Sequence, residues 1–232
     1  MYVEEVRSLF DQYIDEPDLT FLTVAQRRNA LARGYDSFRQ VVVDGDHWAY
    51  NKTQDFTIGS ASEIDLTNPP APAPALLGAT AVAGNKLIRL RRVAILDDLN
   101  NIWQFVEAVR TLDPVLPRAY IDQWQDQPTK YALVGSKLLF SRNLQATCRL
   151  YYLPTSAVDW TRDAVGDNEF IDDYDQFHKL IAMYAARDYY ATRDAEVHQK
   201  LQMQIIVEEE RIRGFLGVGR DTEANSRVAE RF

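Results

Sequence analysis

Residues 87–96 read Leu-Ile-Arg-Leu-Arg-Arg-Val-Ala-Ile-Leu, and this stretch decides how the rest of the chain is read. Its partial alternation and its β-branched residues mark a strand. It stands mid-chain, so the segments before and after it must be sorted by the same test. Upstream, Val3, Val6, Phe10, Tyr13 and Ile14 recur at three- and four-residue spacing, the stripe of an amphipathic helix. Asp15-Glu16-Pro17-Asp18 stops it, because the residue before a proline is pushed out of the α region. Thr23 opens a second helix. Gln26, three residues on, completes a capping box, and Leu31, Tyr35 and Phe38 give its apolar face. Asp44-Gly45-Asp46 is its exit.

Around the central strand the period is short. Trp48–Tyr50 and Asp55–Ile58 are strand-like, as are Lys130–Val134, Lys137–Phe140 and Gln145–Leu153, with Gly135-Ser136 as a two-residue hairpin turn. Residues 68–84 are rich in Pro, Ala and Gly, carry no charge, and read as a linker or projecting loop. Trp103, Phe105, Val106, Val109 and Leu112 fit a short helix stopped at Asp113-Pro114, and Tyr120, Ile121 and Trp124 suggest another. The last third returns to helix. Asp167 or Asn168 can cap a stripe of Phe170, Tyr174, Phe177, Ile181 and Tyr184. A second stripe, Val197, Leu201, Ile205 and Ile212, is ended by Gly214, Gly217 and Gly219. The expected fold is α+β: a mainly helical bundle built from both chain ends, with a small antiparallel sheet inserted. The expected divisions are residues 1–47, N-terminal helices; 48–160, a β-rich insertion with short helices; 161–214, C-terminal helices; and 215–232, a tail.

Composition narrows the function. The 232 residues hold 34 Asp and Glu against 26 Lys and Arg, a net charge of −8. A protein whose main task is to grip phosphate backbones needs a basic footprint instead. No apolar run nears the roughly 20 residues that cross a bilayer, and the acidic MYVEEVRSLF start is unlike a signal peptide. The expectation is a soluble, acidic, intracellular protein. A single cysteine, Cys148, excludes an internal disulfide framework; in an alternating strand it reads as a small core residue.

Candidate chemistry is sparse. His47, His178 and His198 have no second His or Cys at ligand spacing. Asp172, Asp173, Asp175 and His178 could form a carboxylate–histidine metal site. The plainer reading is an exposed helix face whose Asp172-Asp173 pair complements the helix dipole. Gly217-Val218-Gly219-Arg220 follows a helix and lacks the Lys-Ser/Thr of a phosphate loop, so it reads as a hinge. Arg89, Arg91 and Arg92 are the dense basic cluster; they could touch phosphate or meet a neighbour's acidic face. Glu208 and Glu209 head a charged helix face suited to ion pairs between subunits. No nucleophile elbow, Walker loop or paired-carboxylate motif is present, so the chain reads as a non-enzyme without a cofactor or metal.

Taken in order, several segments resemble the head-to-tail connector (adaptor) proteins of tailed bacteriophages. These are the helix ending at Asp15-Glu16-Pro17, the Phe21-Leu22-Thr23 lead into a second helix carrying Asn29 through Tyr35, and the Leu87–Leu96 strand. They continue with Pro128-Thr129-Lys130-Tyr131, the hairpin residues Leu138-Leu139-Phe140, Leu150-Tyr151-Tyr152-Leu153-Pro154, and a closing stretch from Glu169 to Asp188. The resemblance covers about residues 1–213. Residues 68–84 and Phe140-Ser141-Arg142-Asn143 depart from it. It implies a structural virion protein at the neck, assembled in the host cytoplasm. Its copies would form a ring, twelve-fold in most such proteins, beneath the portal protein, extending the DNA channel and docking the tail or the next neck protein. Genomic DNA would pass without specific binding, and no membrane would be involved. Arg220, Val228 and Phe232 in the C-terminal segment would reach the portal, and Arg89, Arg91, Arg92, Glu208 and Glu209 would serve contacts between subunits. The alternatives are another non-enzymatic tail or neck completion protein, or a metal-dependent enzyme using the acidic helix face.

Overall fold

The structure is a computed structural model that describes residues 1–15, 22–46, 48–97, 102–108, 129–160 and 169–229, with side chains as far as residue 217. The chain divides into two compact units: Met1–Ala49 with Val158–Phe232, and the inserted Tyr50–Ala157. The first holds 25 Asp and Glu against 15 Lys and Arg, the second 9 against 11, so the net negative charge belongs to the first and the second is slightly basic.

The first unit is helical. Helix α1 (Val3–Ile14) buries Val3, Val6, Phe10 and Ile14, and ends at Asp15 in the left-handed conformation (φ 51°). Helix α2 (Val24–Gly45) opens on the expected capping box: Gln26 N donates to Thr23 Oγ1 at 3.2 Å, and Thr23 N donates to Gln26 Oε1 at 2.9 Å. Leu31, Tyr35 and Phe38 are buried along it. A 3₁₀ turn (Asp175–Phe177) leads into α3 (Lys179–Tyr190), and α4 spans Ala195–Ala229. Helices α2 and α3 meet closely at Gly34, where a Cβ would sit 2.5 Å from the Ile181 carbonyl oxygen. The chain start pairs with the segment before the 3₁₀ turn: Val3 N donates to Glu169 O at 3.0 Å, and Tyr2 bridges Phe170.

The second unit is a barrel. Its strands are β1 (Lys52–Asp65), β2 (Leu87–Asp97), β3 (Ile102–Ala108), β4 (Lys130–Val134) and β5 (Lys137–Pro154). The sheet runs β1-β5-β2-β3-β4, and a further β4–β5 pairing closes four strands on themselves, leaving β1 on the outside of β5. Among the described strands, only β3–β4 is parallel. Val93, Leu138, Phe140, Cys148, Leu150 and Tyr152 face inward and form the core with Phe56, Ile64, Leu66 and Leu76.

The mainly helical bundle with a small sheet is therefore wrong: 41% of the chain is helix and 32% strand, and the β part is a closed barrel with a fifth strand. The reasons are local. Residues 137–140 and 145–153 belong to one 18-residue strand, because β5 bends rather than ends between them. Trp103, Phe105 and Val106 lie in strand β3, not in a helix. Their apolar residues occupy both faces, since the outer face carries aromatics that pack on arginines (below), and this hides the alternation. Trp48–Tyr50 is a turn. Residues 68–84 are not a projecting loop. Leu76 is fully buried, Leu76 N and Leu77 N both donate to Leu66 O, and Leu87 N donates to Leu76 O, so the segment is stitched to the barrel core. The helical stripe begins at Lys179, not at Phe170, and α4 runs through Gly214, Gly217 and Gly219 to Ala229. The proposed helix around residues 116–127 and the caps at Asp167 and Asn168 lie outside the described residues, as do His47 and Phe232. No described helix is long and apolar enough to cross a membrane.

Candidate functional site

In the helical unit the structure joins residues that the sequence keeps 137 positions apart. The β-type pairing of Tyr2 with Phe170 sets the chain so that Asp172 reaches α2. Asp172 Oδ2 accepts the Tyr35 hydroxyl at 3.0 Å, and its Oδ1 accepts the backbone N–H of Tyr174 at 2.9 Å. His178 Nε2 lies 2.5 Å from the same Oδ1. The imidazole is completely buried and meets the Phe38 ring edge-on at 5.5 Å. Its Nδ1 has no hydrogen-bond partner. An N–H there would be a buried donor without an acceptor, so the geometry fits the tautomer with hydrogen on Nε2, donating to Asp172. This phenol–carboxylate–imidazole chain, centred on Asp172, ties α2 to the residue that precedes α3.

This corrects the exposed-face reading of His178, and the dipole reading of Asp172-Asp173 too, because α3 starts only at Lys179. Asp172 and His178 come together; Asp173 and Asp175 do not join them. Among the described residues, no three His, Cys, Asp or Glu side chains stand where they could hold a metal ion. Among the described residues, no nucleophilic side chain is hydrogen-bonded to the imidazole.

The outer barrel face carries the second constellation. Cross-strand neighbours Ala94, Arg149 and Phe105 stack in one row across β5, β2 and β3. The Arg149 guanidinium lies 4.1 Å over the Trp103 ring and makes a bidentate pair with Asp55, both bonds 2.7 Å. That pair pushes Arg149 still further above its ordinary range. Arg92 sits 5.0 Å over Phe105, whose ring meets Tyr151 at 5.8 Å. Arg89 is exposed and Arg91 half-buried. The dense basic cluster is thus in part a packed arginine–aromatic layer.

Glu208 and Glu209 are engaged within their own chain. Glu208 accepts Lys179 Nζ at 2.8 Å and pairs with Arg211; Glu209 accepts the Tyr184 hydroxyl at 2.6 Å and pairs with Arg213. Burial alone would raise the Glu208 carboxyl, but the Lys179 and Arg211 bonds outweigh it and hold it below the ordinary range. Burial first, then the Glu209 bond, pushes the Tyr184 hydroxyl well above its ordinary value. Arg220 and Val228 fall on the α4 backbone, with side chains beyond those described. Cys148 is buried in the barrel core as expected, and that burial pushes its thiol up to about 12.

Exposed apolar side chains remain on each unit. Met203, Ile206 and Val207 form one stripe on α4, and Ile102 and Phe105 stand out from β3. Sequence reading did not single these out, because a stripe is visible in a sequence while the side that lacks a cover is not. Comparison with protein-family models and with curated proteins finds no match for this chain.

Proposed function

We propose that the chain is a structural, non-enzymatic subunit of the head-to-tail junction of a tailed bacteriophage. Its copies form a ring beneath the portal, twelve by resemblance, that continues the DNA channel and docks the tail or next neck protein. The observation that carries this reading is the apolar surface left on both units: Met203 at 63% exposure and Val207 at 56% on α4, Ile102 at 58% and Phe105 at 57% on β3. Large side chains left in water at such exposure fit contacts between subunits. A ring needs two different patches per copy that meet head to tail and close, and two units with opposite charge balance supply dissimilar surfaces. The ordered motifs from Asp15 to Asp188 support the same reading. The strongly acidic helical unit suits a channel that DNA crosses without sticking.

The test is to mix the purified chain with the portal of the same phage and image the product. A ring of density on the portal, lost in the Met203→Glu/Val207→Glu double variant that still shows wild-type circular dichroism, supports the reading. Wild-type protein that neither binds portal nor occurs in the neck of virions overturns it. Density elsewhere in the tail would favour the alternative of another completion protein.

A further inference from the structure

The barrel is not closed evenly. On the edge of β5 away from β1, β4 reaches only as far as Phe140 and β2 begins only at Cys148. Between them, residues 141–147 have no strand partner on that edge among the described residues. The other edge also loosens: the β1 register passes from Glu63↔Leu139 directly to Ala61↔Leu144, so Phe140–Asn143 bulge out of the ladder. Among the described residues, the barrel wall therefore has a window.

Behind the window is a cavity of about 480 Å³. Its apolar lining comes from Ile95, Val106 and Leu144, the inward faces of β2, β3 and β5. Its polar lining adds Gln104 and Thr129 to a rim on β5 of Arg142, Asn143 and Gln145. All three rim residues are exposed and their side chains make no hydrogen bond or ion pair with the described residues. Among the described residues, Arg142 is the single charged residue lining the cavity, and no carboxylate lines it.

We propose that this window is a docking site for an extended polypeptide segment of a partner protein that carries one acidic side chain. The segment pairs its backbone with the free edge of Leu144–Thr147, places its carboxylate on Arg142, and sends an apolar neighbour into the cavity. A free strand edge presents N–H and C=O groups in series at strand spacing, and an extended chain matches that series. The unbalanced guanidinium selects for acid, since a charge-assisted bidentate pair is the strong contact it can make. Asn143 and Gln145 amides offer both donor and acceptor to the peptide backbone. This inference does not rest on the connector reading.

The test uses the full chain as bait for a displayed library of random seven-residue peptides. Enriched sequences should hold an Asp or Glu at one fixed position beside β-branched or aromatic residues. Bound peptide should slow hydrogen exchange at residues 144–147. Arg142→Gln, a surface change that leaves circular dichroism unaltered, should weaken the best peptide by about tenfold. Changing the peptide's own acid to its amide should cost the same factor, with no further loss in the combined pair. No enrichment, enriched peptides without an acid, or protection elsewhere in the chain would each overturn the proposal. So would protection of 144–147 that rises with protein concentration in the absence of peptide, which would make a second copy of the chain the occupant.

Discussion

Asp172 accepts hydrogen bonds from separate parts of the chain: Tyr35 from α2, the Tyr174 backbone beside it, and His178 at the mouth of α3. A bond from a neutral hydroxyl to a half-buried carboxylate such as Asp172 contributes about 1.5–3 kcal/mol. Tyr35→Phe removes one without changing the packed ring, so it should lower stability by about that amount in urea unfolding, with the denaturant slope unchanged; a shift below about 0.5 kcal/mol would mean the hydroxyl is not engaged. Cys148 gives a chemical readout of the barrel core. A thiol pushed to about 12 by burial holds almost no thiolate at pH 8. It should resist iodoacetamide in the folded chain and react in denaturant, and rapid labelling of native protein would contradict the assigned burial. Glu208 sets a pH dependence of definite sign. Its carboxyl is held below the ordinary 4.5, so the folded state favours its ionised form. The stabilisation is present above the ordinary glutamate range and is lost as pH falls through the lowered folded value. Glu208→Gln should therefore flatten the acid side of the melting temperature against pH, while leaving pH 9 behaviour parallel to wild type.

At the level of elements, two glycines in helices make opposite predictions. Gly34→Ala would gain about 1 kcal/mol of helix propensity. The new methyl, however, meets the Ile181 carbonyl oxygen at 2.5 Å, and backbone does not give way cheaply. The net should be a loss of about 1–3 kcal/mol. Gly214 has nothing within 4 Å of an added Cβ and lies inside α4, so Gly214→Ala should gain about 0.5–1 kcal/mol. Thermal melts of the two variants should move in opposite directions. The same glycines show what a sequence can disclose. The glycines from 214 to 219 read as a helix end because helix-breaking is a local property, yet the helix passes through them. The capping box at Thr23 and the Gly135-Ser136 turn, where Gly135 takes φ 60°, were legible because both are complete within four residues. The full length of β5 was not: the bulge at Phe140–Asn143 breaks the alternation that would have joined its halves. Strand β3 was misread because its outer face is aromatic, and Leu76 because its partners, Leu66 and Leu87, lie ten and eleven residues away, on either side of the charge-free stretch 68–84. Of the candidate site, Asp172 and His178 stood out in the sequence, whereas Tyr35 could be joined to them only by the fold.

On the scale of the whole molecule, the chain is a helical unit interrupted by a barrel, and the physics of the insertion can be followed at its ends. Lys52, near the start of the inserted segment, pairs with Tyr152, near its end, across the β1–β5 ladder. Paired strands lie about 5 Å apart. An insertion whose ends are that close requires little stretching of the host at the junction, and loop-closure entropy grows only slowly with the length inserted. The barrel has its own buried cluster, from Phe56 to Tyr152, and the helical unit has another set of buried residues, with Phe10, Phe38 and Ile181 among them. Each unit thus has buried residues of its own. The barrel segment 50–157 expressed alone should therefore fold and melt in one cooperative transition, with Cys148 protected from alkylation as in the full chain. A second chain in which a short Gly-Ser linker joins Ala49 directly to Val158 should keep its helical circular dichroism and lose its strand contribution. If the excised barrel labels at Cys148 as fast as a denatured control, or if the linked helical chain is unfolded, the two units depend on each other for stability, and the division of the chain at residues 49–50 and 157–158 is one of contacts alone.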